Sequence, residues 1–539
     1  MTSKVIKTVT ILVAFCSPIV TNAQDKGVFS GDLQINQNFY IKDTNIILPP
    51  APPQYDKQLA STEGWLNLNY RINDYSFGLR YDIFNNSGLR QPFSAYTDQG
   101  VGYWYAKKRI DDLEVTVGYF YEQFGSGIAF RAYEGRGQNL DYAIKGLHLK
   151  YYLGNNWTLK GFTGQQKFRF DTYNPVIKGA NGEGFVAVSE NFTLQPGGSV
   201  VNRTLDDDAM SLLVNNINAL ELEDRFDPKY NVFIYSIYNT FNYKNLSLYA
   251  EYSGKTAEAV YNRNGLLVKE PGSVIYGSGT YSQKGLSATL QYKRTEFFEF
   301  RTAPTEVLNN GLITYIPPIA MANTYRLTSR YQPATQLIGE QGIMFDFEKK
   351  LGNHSIALNY SNINTLESDL AKDGPDSTKL YRELQVYAKI KLSKKIKGTV
   401  GIQQVVYNQD IYQTKPGVPL VKTLTPYIDM TFKLKKRRSF RVELSHMDTD
   451  EDYGSWAWAL LEYNIAPKYS FSIMDMYNYG NKDPDLREHY YTAFAAVNVK
   501  RNRFTFAYVK QVEGIICTGG VCRIEPAFSG IRATLTSSF

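Results

Sequence analysis

Residues 75–83, Tyr-Ser-Phe-Gly-Leu-Arg-Tyr-Asp-Ile, alternate between apolar and polar or small side chains. Successive side chains of a β-strand point to opposite faces, so a period of two indicates a strand with one apolar face. The apolar face holds Tyr75, Phe77, Leu79, Tyr81 and Ile83, and the other face holds Ser76, Gly78, Arg80 and Asp82.

The same alternation recurs along the whole chain, for example in residues 113–122, 246–253, 286–293, 384–392 and 440–444. The apolar faces are rich in Tyr and Phe, which suits an aromatic girdle at a lipid interface. The opposite faces carry charge and are expected to line a polar interior. The candidate lumen residues are Arg80, Asp82, Glu114, Lys293, Glu383, Lys389, Arg441, Glu443 and Arg532.

The connections between these segments alternate between short and long. Residues 71–74 and 242–245 are short connections, whereas residues 171–228 and 299–335 are long ones. Short turns at one rim and long loops at the other are typical of transmembrane β-barrels. The sequence therefore predicts an all-β fold, a transmembrane antiparallel barrel of about 22 strands within a range of about 18–24, with short periplasmic turns and long extracellular loops.

Composition excludes several classes of protein. The chain has 539 residues, 43% of them hydrophobic and 21% charged, with only 3 Cys and 4 His. So few Cys and His leave no room for a dense zinc, haem or iron–sulfur centre, and no cofactor is expected. A mean hydropathy of -0.35 and the lack of a long apolar run argue against a helical membrane protein. The net charge of +7 is small for this length and predicts no nucleic-acid partner.

The first 23 residues have the features of a secretory signal peptide. Lys4 and Lys7 form a positive start, residues 11–15 are apolar, and Ala23 ends a small-residue cleavage site. The remaining residues, 24–539, are expected to form a single barrel domain in contact with outer-membrane lipid. A multi-pass β-barrel with a leader belongs in the cell outer membrane of a Gram-negative bacterium.

A barrel of this size has a wide bore, and strand alternation begins at Val28, so no plug domain is expected ahead of it. Any closure must then come from the long outer loops near 171–228 and 299–335. In the first of these, Met210, Leu213 and Ile217 recur at helical spacing, which predicts a short amphipathic helix. This helix either folds inward as a constriction or lies on a surface loop.

The two cysteines of the mature chain, Cys517 and Cys522, are separated by a Gly-rich spacer of four residues. An exported chain meets oxidising conditions, which favours a Cys517–Cys522 disulfide in the last outer loop. Metal binding is the alternative, but neither His nor a further Cys lies near in sequence.

Residues 448–454 place Asp448, Asp450 and Asp452 at alternate positions before Gly454. Calcium favours clustered carboxylate oxygens, so these three are a weak calcium candidate, and an acidic solvated loop tip is the alternative. His446 lies two residues before Asp448, yet no nucleophile motif stands at a matching spacing. No catalytic residue is identified, and the protein is not expected to be an enzyme.

Residues 124–137, Phe-Gly-Ser-Gly-Ile-Ala-Phe-Arg-Ala-Tyr-Glu-Gly-Arg-Gly, with 140–146 resemble a motif in a family of Bacteroidota outer-membrane barrels of unknown function. The run 514–523 and the Ala23-Gln24 junction resemble the same family. A C-terminal Phe539 ending a strand also looks like the signal read by the outer-membrane insertion machinery. The resemblance implies the fold and the location, and it carries over no site residue.

Two functions are compatible with these patterns. One is a passive channel or substrate-specific porin for polar solutes, favoured by a wide bore whose lumen holds both signs of charge. The other is a non-transporting structural or docking subunit of a secretion, insertion or adhesion complex, with protein partners bound at the long outer loops.

Overall fold

The computed structural model describes the backbone of residues 27–47, 51–88, 94–263, 265–366, 377–518 and 521–539, and within these ranges the side chains of residue 138 and of residues 515–524 are not described. The predicted signal peptide, residues 1–23, lies outside the described residues.

Twenty-four antiparallel strands form one closed sheet. In chain order they are β1 (Val28–Tyr40), β2 (Ala60–Ile72), β3 (Tyr75–Ser87), β4 (Tyr96–Ile110), β5 (Leu113–Phe120), β6 (Ile144–Leu153), β7 (Trp157–Phe168), β8 (Asp171–Gly184), β9 (Phe192–Thr204), β10 (Asn231–Tyr243), β11 (Leu246–Tyr261), β12 (Leu267–Gln283), β13 (Leu286–Glu296), β14 (Gly339–Leu351), β15 (His354–Thr365), β16 (Lys379–Lys391), β17 (Ile396–Tyr407), β18 (Val421–Lys435), β19 (Arg438–Met447), β20 (Trp456–Ile465), β21 (Tyr469–Tyr477), β22 (His489–Val499), β23 (Asn502–Gln511) and β24 (Phe528–Ser538).

The sheet closes where the last strand meets the first. β24 pairs with β23 on one side and with β1 on the other, so that Arg532 lies opposite both Ala507 and Asn38. Closure leaves no open sheet edge, which is the condition for a β-structure to cross lipid. The predicted all-β barrel is confirmed, and its strand count lies at the upper end of the predicted range.

The two faces of the barrel wall differ as the alternation predicts. On β3, Leu79 is 40% exposed on the outer face, whereas its neighbour Arg80 is 4% exposed on the inner face. Large apolar side chains are exposed around the whole outside, for example Ile237 and Ile473. Such a surface is stable in the hydrocarbon region of a bilayer.

The two rims also differ. At the short-turn rim, the periplasmic one, residues 73–74 join β2 to β3 and residues 244–245 join β10 to β11. Asn73 takes a positive φ of 49°, a conformation that tight hairpin turns use and that Asn tolerates better than most residues. Both ends of the barrel, Val28 and Ser538, lie at this rim.

The prediction of one long outer loop over residues 171–228 is wrong for residues 171–204, because these residues form β8 and β9 of the barrel wall. They join through residues 185–191 at the short-turn rim and pair antiparallel from Val176–Thr204 to Glu183–Gly197. Gly, Asn and Pro are depleted in strands, and the two strands contain many of them, including Pro175 and Pro196. Pairing with β7 and β10 overrides this low propensity.

The second half of that segment contains helix α1 (Asp207–Asn218), which confirms the predicted amphipathic helix. Met210, Leu213 and Ile217 are buried against the loop-side ends of β11 and β12, where Ala259 and Leu267 lie. Helix α1 therefore covers the outer rim. Among the described residues, no helix is long and apolar enough to cross a bilayer.

The remaining elements are short. They are a π-helical turn (Gln54–Gln58), a helical turn (Gln409–Tyr412), 3-10 turns (Arg136–Gln138, Leu222–Asp224, Pro484–Leu486) and strands outside the closed barrel (Glu122–Phe124, Phe130–Ala132, Glu134–Gly135, Leu140–Asp141, Val186–Ser189, Gly514–Thr518, Val521–Glu525).

Candidate functional site

The strand register places all nine candidate lumen residues on the inner face of the wall. Directly opposite residues of an antiparallel pair share a face. The inner face can be followed from Asp32 to Asn67 and on to Arg80. The same step-by-step tracing around the barrel assigns Asp82, Glu114, Lys293, Glu383, Lys389, Arg441, Glu443 and Arg532 to this face.

Two connections fold into the loop-side half of the barrel. We call residues 121–143, between β5 and β6, the first insert, and residues 297–338, between β13 and β14, the second insert. Their backbones pair with each other: the amide of Arg131 donates to the carbonyl of Ile313 at 2.9 Å, and that of Tyr315 donates to Gly127 at 3.0 Å. The two inserts therefore form one body inside the wall.

A first apolar core joins this body to one side of the barrel. Phe124 and Ile128 of the first insert and Phe300 of the second are fully buried against Val232 and Ile234 on the inner face of β10. The loop-side ends of β5 to β9 and of β12 add further apolar residues. An interior of this kind excludes water from this part of the lumen.

A second apolar core joins the second insert to the opposite side. Ile319, Leu327 and Tyr331 contact a set of buried side chains at the loop-side ends of β15 to β21, among them Tyr407 and Trp456. Arg330 lies 4.2 Å above the Trp456 ring, a cation–π contact that anchors the insert.

A buried ionic cluster fixes the first insert to β3. The guanidinium of Arg80 lies 2.7 Å from Asp82, 2.8 Å from Glu134 and 2.7 Å from Asp141. Lys167 of β7 also contacts Asp141. Buried charges persist in a low-dielectric site only when paired in this way.

Lys293 fixes the second insert to β13 and β14. Its Nζ lies 2.7 Å from Oε1 of Glu340 and donates to the carbonyl of Pro317 at 2.6 Å. Both charged side chains are inaccessible to solvent, at 0% and 1% exposure. Glu383, also buried, accepts hydrogen bonds from Asn323 of the insert at 2.8 Å and from Gln403 at 2.7 Å.

The candidates near the short-turn rim have a different environment. Lys389 pairs with Glu348 at 2.7 Å, yet its side chain is 52% exposed. Glu114 pairs with Lys107 at 2.8 Å, and both are partly exposed. Arg441 contacts Asp429 and Glu443; Arg441 and Asp429 are partly exposed, whereas Glu443 is buried. This half of the lumen is polar and solvated.

A cavity of about 330 Å³ with a mixed polar and apolar lining remains beside the inserts, where β24, β1 and β2 meet. We call it the seam cavity. Its wall side is lined by the amides of Gln34, Asn36 and Asn38 on β1 and by Arg532 on β24. From Gln34 to Tyr40 it follows the strand for roughly 20 Å at about 3.3 Å per residue.

The three aspartates of the calcium candidate do not come together. Asp448 accepts a hydrogen bond from Ser455 at 3.2 Å, and Asp450 is exposed. Asp452 accepts from the Tyr331 hydroxyl at 2.9 Å and pairs with Lys415 at 3.2 Å. No group of three His, Cys, Asp or Glu side chains suited to a metal occurs in the described part of the chain. Asp452 is instead an anchor for the second insert.

The pKa of the Asp452 carboxyl lies below its ordinary value. Burial opposes ionisation, but a hydrogen bond from Gln409, the charges of Lys415 and Arg330, and the Tyr331 hydroxyl outweigh it. The anchor is therefore ionised at neutral pH.

The last outer loop forms a hairpin of Gly514–Thr518 and Val521–Glu525, in which Cys517 and Cys522 are directly opposite partners. Their side chains are outside the described residues, and the disulfide remains a prediction.

The first insert was not predicted from the sequence, which indicated only the loops near 171–228 and 299–335 as able to close the bore. A signal was present, because Phe124, Ile128 and Phe130 are too apolar for a loop in water. Val232 and Ile234 are a second signal. They are apolar residues at inward positions of β10, and they would face water unless another part of the chain covered them inside the barrel.

Among solved structures, the chain is similar to the siderophore receptor PirA from Pseudomonas aeruginosa, with a TM-score of 0.43, 9% identity, and 96% of this chain and 81% of that chain covered. It is similar to the P pilus usher (PapC) translocation pore, with a TM-score of 0.43, 10% identity and 95% and 99% covered. It is also similar to the copper transporter OprC, with a TM-score of 0.38 and 9% identity, and with 96% of this chain and 81% of that chain covered.

No curated protein matches the chain in sequence. A family model matches residues 2–539, and its description is a family of unknown function, DUF6029. The match extends over nearly the whole chain, and the chain therefore belongs to the DUF6029 family of unknown function.

Proposed function

We propose that the protein is a substrate-selective channel for polar solutes in the outer membrane of a Gram-negative bacterium, and not a wide diffusion pore or an enzyme. The observation that supports this most directly is the division of the lumen. The inserts and their apolar cores occupy the loop-side half, while the seam cavity keeps a polar lining along β1.

The lining of the remaining space favours selectivity over free diffusion. The polar inner faces near the short-turn rim offer a wide, hydrated entrance, where Lys389 and Arg441 are partly exposed. On the loop side, the seam cavity is a space beside the inserts with a row of amides along β1. A solute that passes there must exchange its water for contacts with Asn36 and Asn38, which is how a narrow polar site discriminates among solutes.

Conductance in planar bilayers tests the proposal. The intact protein is expected to show a small conductance, and a variant with residues 302–334 replaced by a flexible Gly-Ser linker a several-fold larger one, because the second insert no longer fills the bore. Replacing helix α1 in the same way is the matched control. It should change the conductance much less, since this helix packs at the outer rim on Ala259 and Leu267 and, in the second insert, on Ala303 near the insert's start.

One observation favours the second candidate function, a structural or docking subunit. Leu212 and Leu222, in the outer connection between β9 and β10, and Leu308 of the second insert are 57%, 80% and 80% exposed. Exposed apolar side chains in water-facing loops suit a protein partner. If neither the intact protein nor the linker variant conducts, although both are folded barrels, the channel proposal fails and the docking function is preferred.

A further inference from the structure

The seam cavity is a partly open space bordered by parts of the chain that are far apart in sequence. The inner face of β24, β1 and β2 forms its wall, Arg136 and Gly137 of the first insert form one side, and the π-helical turn with residues 525–528 lies toward the outer rim. A volume of about 330 Å³ is at the lower end of the range of small-molecule sites.

The loop-side end of the cavity is held rigidly. The rings of Tyr55 and Phe528 both pack edge-on against Tyr40, with centroids 4.9 and 5.5 Å away. The Tyr55 hydroxyl accepts from the amide of Ser529 at 2.9 Å and donates to the carbonyl of Ala527 at 3.3 Å. The first and last outer loops are thus tied together, so the cavity is preformed.

One buried polar atom of the lining has no partner. Gln54 is 2% exposed, and its Nε2 donates to the carbonyl of Ser94 at 2.8 Å. Its Oε1 has no hydrogen-bond partner within the described part of the chain. Buried polar atoms in folded proteins are nearly always satisfied, and a small rotation of the Gln54 side chain would turn this carbonyl oxygen toward a donor in the cavity.

The wall of the cavity presents amides in a row. Gln34, Asn36 and Asn38 lie at successive inward positions of β1. A side-chain amide both donates and accepts hydrogen bonds, as a hydroxyl group does. A row of amides therefore matches a molecule with several hydroxyl groups better than one with a single kind of polar group.

The charges of the lining are balanced and already engaged. Arg136 pairs with Glu134 at 2.8 Å, and its guanidinium lies 5.6 Å above the Trp65 ring. Arg532 donates to Gln511 at 3.1 Å and lies 4.0 Å above the Phe528 ring. Two carboxylates, Glu63 and Glu525, also line the space. Two cations and two anions leave no net charge to attract an ion.

We infer that the seam cavity binds a small, neutral, polyhydroxylated solute of the size of a mono- or disaccharide. The inference deepens the proposed function, because it names the solute class of the channel, but the binding site itself does not depend on conduction. The amides of β1 and the Gln54 carbonyl supply the hydrogen bonds, and the balanced charges disfavour ionic solutes.

Calorimetric titration of the full chain in detergent tests this, with glucose and maltose as neutral probes, glucose 6-phosphate as an anion and glycylglycine as a zwitterion. We expect at least one neutral sugar to bind and the two charged probes to bind more weakly. Asn36→Ala and, separately, Gln54→Ala should each weaken sugar binding by roughly three- to tenfold, the loss of about one hydrogen bond.

The matched control is Gln195→Ala. Gln195 is an exposed amide on the inner face of β9, outside the cavity, and its loss should leave sugar binding unchanged. Heat-modifiable gel mobility verifies that each variant is a folded barrel. The inference is overturned if neither sugar binds at millimolar concentration, if a charged probe binds more tightly, or if all three variants behave alike.

The two proposals fail separately. If sugar binds but the protein does not conduct, the binding site is supported and the channel proposal is refuted. If the protein conducts, but neither sugar reduces the conductance or binds in calorimetry, the channel proposal is supported and the binding site is refuted.

Discussion

The inner faces of β10 and β1 differ although both strands belong to the same wall. On β10 the inward Val232 and Ile234 are buried by the inserts. On β1 the inward Asn36 and Asn38 border the seam cavity. A barrel strand whose inward residues are apolar therefore marks a part of the lumen that the chain itself fills, and amides mark a part left to water or solute.

The largest expected effect is a loss of stability, and it compares the same substitution, Lys to Met, in the filled half and in the solvated half of the lumen. Lys293→Met removes one partner of a fully buried pair and leaves Glu340 as an uncompensated charge. We expect a loss of about 3–5 kcal/mol in the free energy of unfolding. Urea unfolding in lipid vesicles measures it.

Lys389→Met is the matched control, on the same inner face but about half exposed. An exposed pair contributes about 0–1 kcal/mol, so the loss should be small. Similar losses for the two variants would show that the two halves of the lumen do not differ in hydration.

The second effect concerns the two faces of β3, which pairs with β2 in the wall of the seam cavity. Leu79→Arg places a charge on the lipid face and should cost about 2–4 kcal/mol near the bilayer centre. Ser76→Arg, on the inner face, should cost much less. The same urea unfolding compares them, and equal costs would refute the assignment of faces.

The third prediction concerns the disulfide in the last outer loop. The end of this loop, residues 525–527, borders the seam cavity. Non-reducing mass spectrometry should find Cys517 joined to Cys522. A loop this short restricts the unfolded chain little, so replacing both by Ser should cost about 2 kcal/mol or less. Two free thiols, or a bond to another chain, would contradict the prediction.

The smallest expected effect is the pH dependence of the contact between Asp452 and Tyr331, which anchors the second insert in the filled half of the lumen. The lowered pKa of Asp452 means that its ionised form stabilises the fold. This contribution is present above its unfolded value of about 3.9 and is lost as the pH falls through the lower folded value. The protection of the amides around Tyr331 against hydrogen exchange, relative to an unfolded chain at the same pH, should therefore fall below about pH 4.

Asp452→Asn should remove this pH dependence, while Asp450→Asn, at an exposed position of the same loop, should retain it. If the protection of the second insert against exchange is independent of pH in the unchanged protein, Asp452 does not anchor it.

Much of the wall was predictable because alternation is a local property. Tyr75–Ile83 indicates its strand and both of its faces without reference to the rest of the chain. The prediction failed where local preference and pairing disagree, as for β8 and β9 with their Pro and Gly residues. For residues 448–454 the alternate carboxylates left two interpretations open, a calcium site or a solvated acidic loop tip, and neither includes the contact that the structure shows. Asp452 instead contacts Tyr331, more than a hundred residues earlier in the chain.

The sequence by itself determined a closed, membrane-spanning barrel with a polar inner face, because a period of two assigns each side chain to lipid or lumen. It also determined helix α1, whose apolar spacing is local. Only the tertiary structure decided how the lumen is filled. Contacts such as Arg131 to Ile313 join segments that are independent in sequence, and the seam cavity exists only because the first and last strands meet. Packing across such distances depends on the summed shape and burial of many residues, which no local pattern encodes.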